Sequence, residues 1–353
     1  MSGPVLVTGG AGFIGCNIAD RLAREGHDVI VLDALARPGV EGNLAWLKAR
    51  HGTRIREIVA DIRDADALAA ATRDAEAVFH MAAQVAVTTS LVDPLADFDV
   101  NIRGTLLVLE ALRRRGAPVP IVFASTNKVY GDLGDLTLIE AADRWLPADP
   151  RVRTHGIAEN RPLDFHTPYG CSKGAADQYV LDYARSFGLP ATVIRMSCVY
   201  GPRQMGTEDQ GWVAHFLIRA LEGRPITIYG DGKQVRDVLH VDDAVDAYLL
   251  AWRFIGAVRG RAFNLGGGPD NAVSLRDVLG AVERLTGRPV SVERQDWRAG
   301  DQRYFVADAR ELRGALGLAT PIGWHDGLAD LAGWLAEARG LPLAGRRRME
   351  AAE

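Results

Sequence analysis

The sequence predicts an α/β chain: a doubly wound parallel sheet with a smaller, mostly C-terminal lobe. Three observations predict it: short apolar or β-branched runs at 5–7, 29–32, 55–60, 78–81 and 121–124, helical stretches between them, and a glycine-rich turn directly after the first run. Strands buried on both faces read as continuous apolar runs, and alternation with helices is the pattern of a parallel sheet covered on both sides. A sixth run at 192–197 continues the sheet. After it the pattern breaks at Gly201-Pro202, Gly223-Arg224-Pro225, Gly230-Asp231-Gly232 and 266–269, which marks the second lobe. The expected organisation is a first domain over 1–190, a lobe mainly over 191–340 with segments near 235–265 returning to the first domain, and a charged tail over 341–353. The stretch 145–168 is polar and proline-rich and reads as a long loop of the kind that covers a site. Arg113 to Arg115 close a helix before Gly116, where cations suit the macrodipole; these and Arg346 to Arg348 in the tail read as solvated surface.

Composition narrows the partner. Of 353 residues, 48% are hydrophobic and 24% charged, which excludes a disordered or collagen-like chain. Lys and Arg number 41 against 45 Asp and Glu, a formal net charge of −4, so no overall field draws nucleic acid or an anionic membrane, and a small molecule is the expected ligand. The three cysteines, Cys16, Cys171 and Cys198, form no C-x-x-C pair. They fit a reducing compartment, the cytoplasm, without a disulfide framework or a zinc knuckle. The first strand follows residue 1 almost at once and no apolar run reaches bilayer length, so neither export nor membrane insertion is expected.

Gly9, Gly12 and Gly15 form G-x-x-G-x-x-G between the first strand and the first helix, around Phe13 and Ile14. Glycine is needed there because the chain turns sharply, presents backbone N–H groups to a pyrophosphate, and packs the helix tightly on the sheet, while the helix N-terminus favours the anion. Asp33 closes the second run 24 residues after Gly9, near the interval at which a carboxylate accepts from an adenosine ribose. This is the dinucleotide-binding pattern of a Rossmann-type domain. The carboxylate would repel a 2′-phosphate, so NAD is favoured over NADP, although Arg37 stands close by. Asp61 and Ile62 follow the third run and Ala82, Ala83 and Gln84 the fourth. At the carboxyl ends of strands, Asp61 is placed to reach adenine and the small alanines to let the cofactor lie close, the alternative being plain turn residues.

Tyr169 and Lys173 form Y-x-x-x-K just before a helical run at 171–187, and spacing of four puts both on one helical face. Phenol has an ordinary pKa of about 10; lowering it by about three units takes roughly 4 kcal/mol, which a neighbouring ammonium and an oxidised nicotinamide can supply. Ser125-Thr126 ends the fifth run, where a hydroxyl can hold a reacting sugar oxygen for Tyr169.

The Y-x-x-x-K pair, the glycine loop and the strand-end hydroxyls resemble the extended short-chain dehydrogenase/reductases that act on nucleotide sugars, over nearly the whole chain, from Thr8 to about Gly340. Within that family, Ser125-Thr126-Asn127-Lys128-Val129-Tyr130-Gly131-Asp132, the run 164–179, Gln210-Gly211-Trp212-Val213, the run 232–240 and Arg298-Ala299-Gly300-Asp301-Gln302-Arg303 resemble the CDP-paratose (CDP-tyvelose) 2-epimerases. The resemblance implies NAD as cofactor, with Tyr169 as base, Lys173 as its modulator and Thr126 as the hydroxyl. It places Asn101 with the cofactor, and Ser125, Asn127, Gln204, Gln210, Trp212, Tyr229, Arg236 and Arg298 with a nucleotide-sugar substrate. It also implies a homodimer through the helices after Asn101 and Tyr169.

The dehydratases of that superfamily carry an Asp-Glu pair after the Thr, where this chain has Asn127-Lys128, so elimination of water is not expected. Epimerisation needs only hydride removed and returned to the other face of a keto sugar. Oxidation at C2 is expected; a 4-epimerase would use the same Thr, Tyr and Lys, and an NAD-binding sensor is the reading of another class. Arg236 and Arg298, with Arg203 as a weaker third, are candidates to grip a diphosphate, the alternative being surface ion pairs. Trp212 and Tyr229 either stack on a base or fill a core. His166, His215 and His240 lack metal spacing, and no metal is expected. Cys171 and Cys198 read as small buried filler rather than thiolate nucleophiles.

Overall fold

The structure is a computed structural model that describes residues 3–298 and 300–343. Ala299 and the tail from 344, with Arg346 to Arg348, lie outside the described residues. The main sheet has seven parallel strands in the spatial order Ala262–Leu265, Ala191–Met196, Ile121–Thr126, Ala77–His80, Val5–Thr8, Val29–Asp33 and Ile55–Val59. Val5 lies opposite both Val29 and Ala77, so the central strand is paired on both sides. Its four residues are all buried, whereas the edge strand Ile55–Val59 is mostly accessible.

Side-chain alternation divides the interior into two layers. Val5, Val7, Val29 and Val31 pack under the helices Phe13–Arg24 and Val241–Arg253; Leu6, Ile30, Leu32, Ile121 and Phe123 pack under Gly104–Arg114 and Thr167–Ser186. Each aliphatic side chain fully withdrawn from water contributes about 1.5–3 kcal/mol before chain entropy is counted. The lobe has its own core where helices Trp212–Leu221, Leu275–Thr286 and Trp324–Arg339 meet. Its strand Val235–His240 pairs with Ala272–Ser274, Tyr304–Phe305 and Cys198–Tyr200. Among the described residues no helix is long and apolar enough to cross a membrane.

Three expectations change. The boundary at 190 falls one strand early, because Ala191–Met196 sits inside the main sheet between Ile121–Thr126 and Ala262–Leu265. The stretch 145–168 is no bare loop: it holds strand Trp145–Pro147 and helix Pro150–His155, started by Asp149 as N-cap and Pro150 in the first turn. The helix expected from 171 starts at Thr167, with Pro168 in its first turn, so Tyr169 and Lys173 lie on it.

That helix is fixed to the sheet by a buried ion pair. Asp177 accepts from Arg195 through both oxygens, Nε at 2.9 Å and Nη2 at 3.0 Å. The Ser125 hydroxyl donates to Asp177 at 2.8 Å, and Arg195 donates to the Tyr130 hydroxyl at 3.1 Å. Tyr130 in turn donates to Asn264 at 2.8 Å. Burial works against the Arg195 charge, and the hydrogen bonds and charge attraction of Asp177 and Tyr130 together outweigh it. Breaking such a pair leaves one charge uncompensated in the interior. Asp177→Asn is therefore expected to lose about 3–5 kcal/mol of unfolding free energy in urea titrations, and Ser125→Ala about 1 kcal/mol.

Candidate active site

The first strand, Val5–Thr8, ends in a turn that only glycine fits. Gly9 has φ of +66° and bonds Leu32, Gly12 bonds the Gly9 carbonyl, and a Cβ on Gly15 would overlap that same carbonyl. The Phe13–Arg24 helix begins there with Gly12 as N-cap and no side-chain cap, so its first N–H groups face outward from a bare backbone. Asp33 steadies the loop: its carboxylate accepts from Ala11 N at 3.0 Å and Leu35 N at 2.9 Å. Beside it, Ala82 N donates to the Thr8 hydroxyl at 3.3 Å. A Cβ on Gly9 would stand 2.7 Å from Ala82 N, so the two strand ends approach closely. A glycine cradle, a free helix start and a carboxylate at the next strand end fit the two phosphates and the ribose of a dinucleotide.

The reactive groups meet at the end of Ile121–Thr126. The Thr126 hydroxyl donates to Asn127 Oδ1 at 3.3 Å and acts on the Tyr169 phenol, and Lys173 Nζ donates to the Ala124 carbonyl at 2.6 Å, 4.2 Å from the centre of the Phe123 ring. Burial pushes the Tyr169 phenol up to about 12, with Thr126 acting the other way. Burial also takes Lys173 down to about 7, against the pull of Asp177 and Asp97. The phenolate expected from an ammonium and an oxidised nicotinamide together is thus not favoured by the chain alone, because desolvation outweighs the lowering by Thr126.

Residues 5–266 match the model of the NAD dependent epimerase/dehydratase family. The chain belongs to that family. It is 42% identical over 344 residues to CDP-paratose 2-epimerase of Salmonella typhi, covering 94% of this chain and 98% of that one. It is 35% identical to a UDP-glucose 4-epimerase of Mycolicibacterium smegmatis, covering 92% and 96%. Among solved structures, a Thermus thermophilus UDP-glucose 4-epimerase in complex with NAD superposes with a TM-score of 0.80 at 33% identity, over 95% of this chain and 99% of that one. Membership makes NAD the cofactor and the chain an enzyme.

Several site residues expected from the sequence lie elsewhere or are already engaged. Ser125 points away from Thr126, onto Asp177, because neighbours on a strand face opposite sides. Asn101 is buried and uses its amide on Gln84 N at 2.9 Å, Gln84 O at 3.1 Å and Ser172 Oγ at 2.9 Å, which ties the turn after the fourth strand to the Thr167–Ser186 helix. Ile62 packs its side chain on Gly104 in the core. Asp61 is paired with Arg63 at 2.7 Å, which holds its carboxyl below the usual range. Ala83 is half-buried and Arg37 exposed beyond Asp33. Cys171 is exposed rather than buried filler, and burial pushes the thiol of half-buried Cys198 up, away from thiolate character.

On the lobe side, Arg236 meets Asp301 at 2.7 Å, and Asn127 donates to Gln302 at 3.3 Å. Arg298 lies 3.7 Å from the centre of the Tyr229 ring and donates to Glu208 O at 3.0 Å; Tyr229 also bonds Glu208. Trp212 donates to Cys198 Sγ at 3.5 Å. Gln204 is buried with its Oε1 unpartnered, and Gln210 closes a short turn with Thr207. Arg203 stacks on Trp46 at 3.8 Å, away from these groups.

Sequence reasoning passed over Gln302 and Lys128 as site residues, although both lie in strings already singled out; a polar residue inside an otherwise turn-like string was the available signal. It also missed the group of exposed Asp132 and Asp164 with half-buried His166, whose ligand atoms lie within 4.8 Å of one another, because two separate loops assemble it. His166 there faces both carboxylates, at 3.5 and 3.1 Å. The cradle gives a direct test: Gly15→Ala is expected to weaken NAD binding in calorimetry by about tenfold to hundredfold, the cost of overpacking one methyl against a carbonyl.

Proposed function

We propose that this protein is an NAD-dependent nucleotide-sugar epimerase that inverts C2 of a CDP-paratose-like sugar. The observation that carries the reading is the buried trio of Thr126 at the end of a central strand with Tyr169 and Lys173 one helical turn apart, Lys173 held on the Ala124 carbonyl of that strand and Thr126 acting on the Tyr169 phenol. Bound NAD supplies the acceptor that takes a hydride from the carbinol carbon and gives it back, together with a positive charge near the phenol. Tyr169 takes the hydroxyl proton, Thr126 holds the same oxygen, and Lys173 in its charged form favours the phenolate. After the flat keto sugar turns, Tyr169 returns the proton to the oxygen. No carboxylate stands at positions 127 and 128 to drive elimination. Placement of the reaction at C2 is supported by the likeness to CDP-paratose 2-epimerase.

The same reading includes a homodimer in the cytoplasm. Leu91, Val92, Leu95 and Phe98 lie on the segments Val87–Val92 and Pro94–Phe98, with exposures of 49%, 86%, 79% and 49%, and Tyr179 and Phe187 are exposed on and just beyond the Thr167–Ser186 helix that those segments pack against. Clustered apolar side chains of this kind favour pairing with a second copy. The described residues contain three free cysteines, consistent with a reducing compartment.

Incubation with CDP-paratose deuterated at C2 and no added cofactor is expected to give the C2 epimer by NMR, with label passing transiently to the nicotinamide. A product inverted at C4 would assign the 4-epimerase reading instead. Tyr169→Phe is expected to lose turnover by at least about a hundredfold while NAD affinity stays unchanged; equal turnover would remove the assigned base. Leu95→Glu is expected to sediment as a monomer where the parent sediments as a dimer.

A further inference from the structure

Proton transfer does not account for the residues that follow Thr126. The turn Asn127–Tyr130 begins where the strand stops, and the Thr126 hydroxyl caps it by accepting from Lys128 N at 3.2 Å. That cap holds Lys128 two residues from the hydroxyl that meets Tyr169. The Lys128 side chain then reaches into the lobe, where Nζ donates to the Gly300 carbonyl at 3.0 Å. Arg236 from the strand Val235–His240, Cys198 from Cys198–Tyr200, Asp301, and Asp132 beyond the turn face it.

The two carboxylates in that set are engaged elsewhere. Asp301 accepts from Arg236 at 2.7 Å and from Gln234 at 3.5 Å, and Asp132 faces His166 at 3.5 Å. Among the described residues, Gly300 O is the one acceptor that the Lys128 ammonium has. A half-buried cation with unused N–H bonds and no carboxylate in direct contact is costly unless a ligand oxygen completes it.

We propose that Lys128 is a specificity-determining residue of the sugar site. Its ammonium binds an oxygen of the sugar, and it occupies the place from which a base would reach the hydrogens of the carbon next to the one that Tyr169 serves. The inference rests on the epimerase reading. A ketone acidifies the hydrogens of the adjoining carbon. If a base takes one, the released electron pair forms a C=C bond and expels the hydroxyl of the next carbon as hydroxide, which an acid protonates to water. The keto sugar would then be lost before hydride returned. Next to Thr126 stand a carboxamide bonded to Gln302 and an ammonium, and an ammonium has no lone pair to accept the hydrogen.

Lys128 is taken down to about 8 by burial and by Arg236, with Asp301, Cys198 and Asp132 opposing. The charged form therefore dominates at neutrality and is lost as pH rises through about 8. Wild-type KM is expected to rise over that range, while a Lys128→Met variant lacks the step.

The test follows the nucleotide sugar that the wild type epimerises, in deuterium oxide at neutral pH, by NMR and mass spectrometry. Lys128→Met is expected to raise KM by about tenfold to hundredfold, the loss of a charged hydrogen bond, with a much smaller change in kcat. Lys128→Glu, checked for retained NAD binding, is expected to give solvent deuterium at the carbon beside the reacting one, or a product lighter by one water; the wild type gives neither. Clean epimer from Lys128→Glu and a KM for Lys128→Met within about twofold of wild type would overturn the proposal. Should Lys128→Glu not fold, the KM of Lys128→Met decides alone. A wild type that epimerises no nucleotide sugar marks the failure of the epimerase reading itself, and the role of Lys128 falls with it.

Discussion

Arg195 and Asp177 meet in the interior with almost no exposure to water, and the positions of all the reactive side chains depend on that pair. Asp177 lies four residues beyond Lys173 and eight beyond Tyr169, so the three share one face of the Thr167–Ser186 helix. Arg195 belongs to the neighbouring strand, and Ser125, which completes the contact, precedes Thr126. One ion pair therefore sets the helix height against the strand that carries the second hydroxyl. An apolar pair of equal volume would stabilise the core as well or better, but it would not fix the helix in a single register.

The electrostatics of the site follow from the same burial. Desolvation acts on the Tyr169 phenol and the Lys173 ammonium in opposite directions on the pH scale, and in both cases it favours the neutral form. The chain alone thus holds a neutral phenol beside an amine that is partly uncharged near pH 7. The site is tuned for a partner that brings positive charge, which is a property no single residue spacing expresses.

Much of this was legible in the sequence, and for identifiable reasons. Strands covered on both faces must be apolar throughout, so the runs of the main sheet stood out, and the glycines of the phosphate loop have no substitute where the backbone crowds itself. The errors cluster where parity or distant partners decide. Ser125 and Thr126 are adjacent in the chain yet face opposite sides of the sheet, and only the pleat tells which hydroxyl meets Tyr169. Asn101 could not be told from a cofactor ligand because its partners, Gln84 and Ser172, come from two other elements. The lobe was hardest to read. Its strands are short, and Val235–His240 is built from partners as far apart in sequence as Cys198–Tyr200 and Tyr304–Phe305.

The order of the main sheet has a consequence for how this architecture can vary. The chain leaves the sheet after Met196, starts the lobe, and returns to lay the helix Val241–Arg253 over one face and the strand Ala262–Leu265 along the edge, before leaving again for Leu275–Thr286 and Trp324–Arg339. A deletion from 197 onward would strip a helical cover and an edge strand from the cofactor half, and neither half is a contiguous piece of chain. The lobe is therefore no detachable cassette. Recombination that brings in a new sugar preference has to work by exchanging separate loops on a retained frame, or by replacing both halves together.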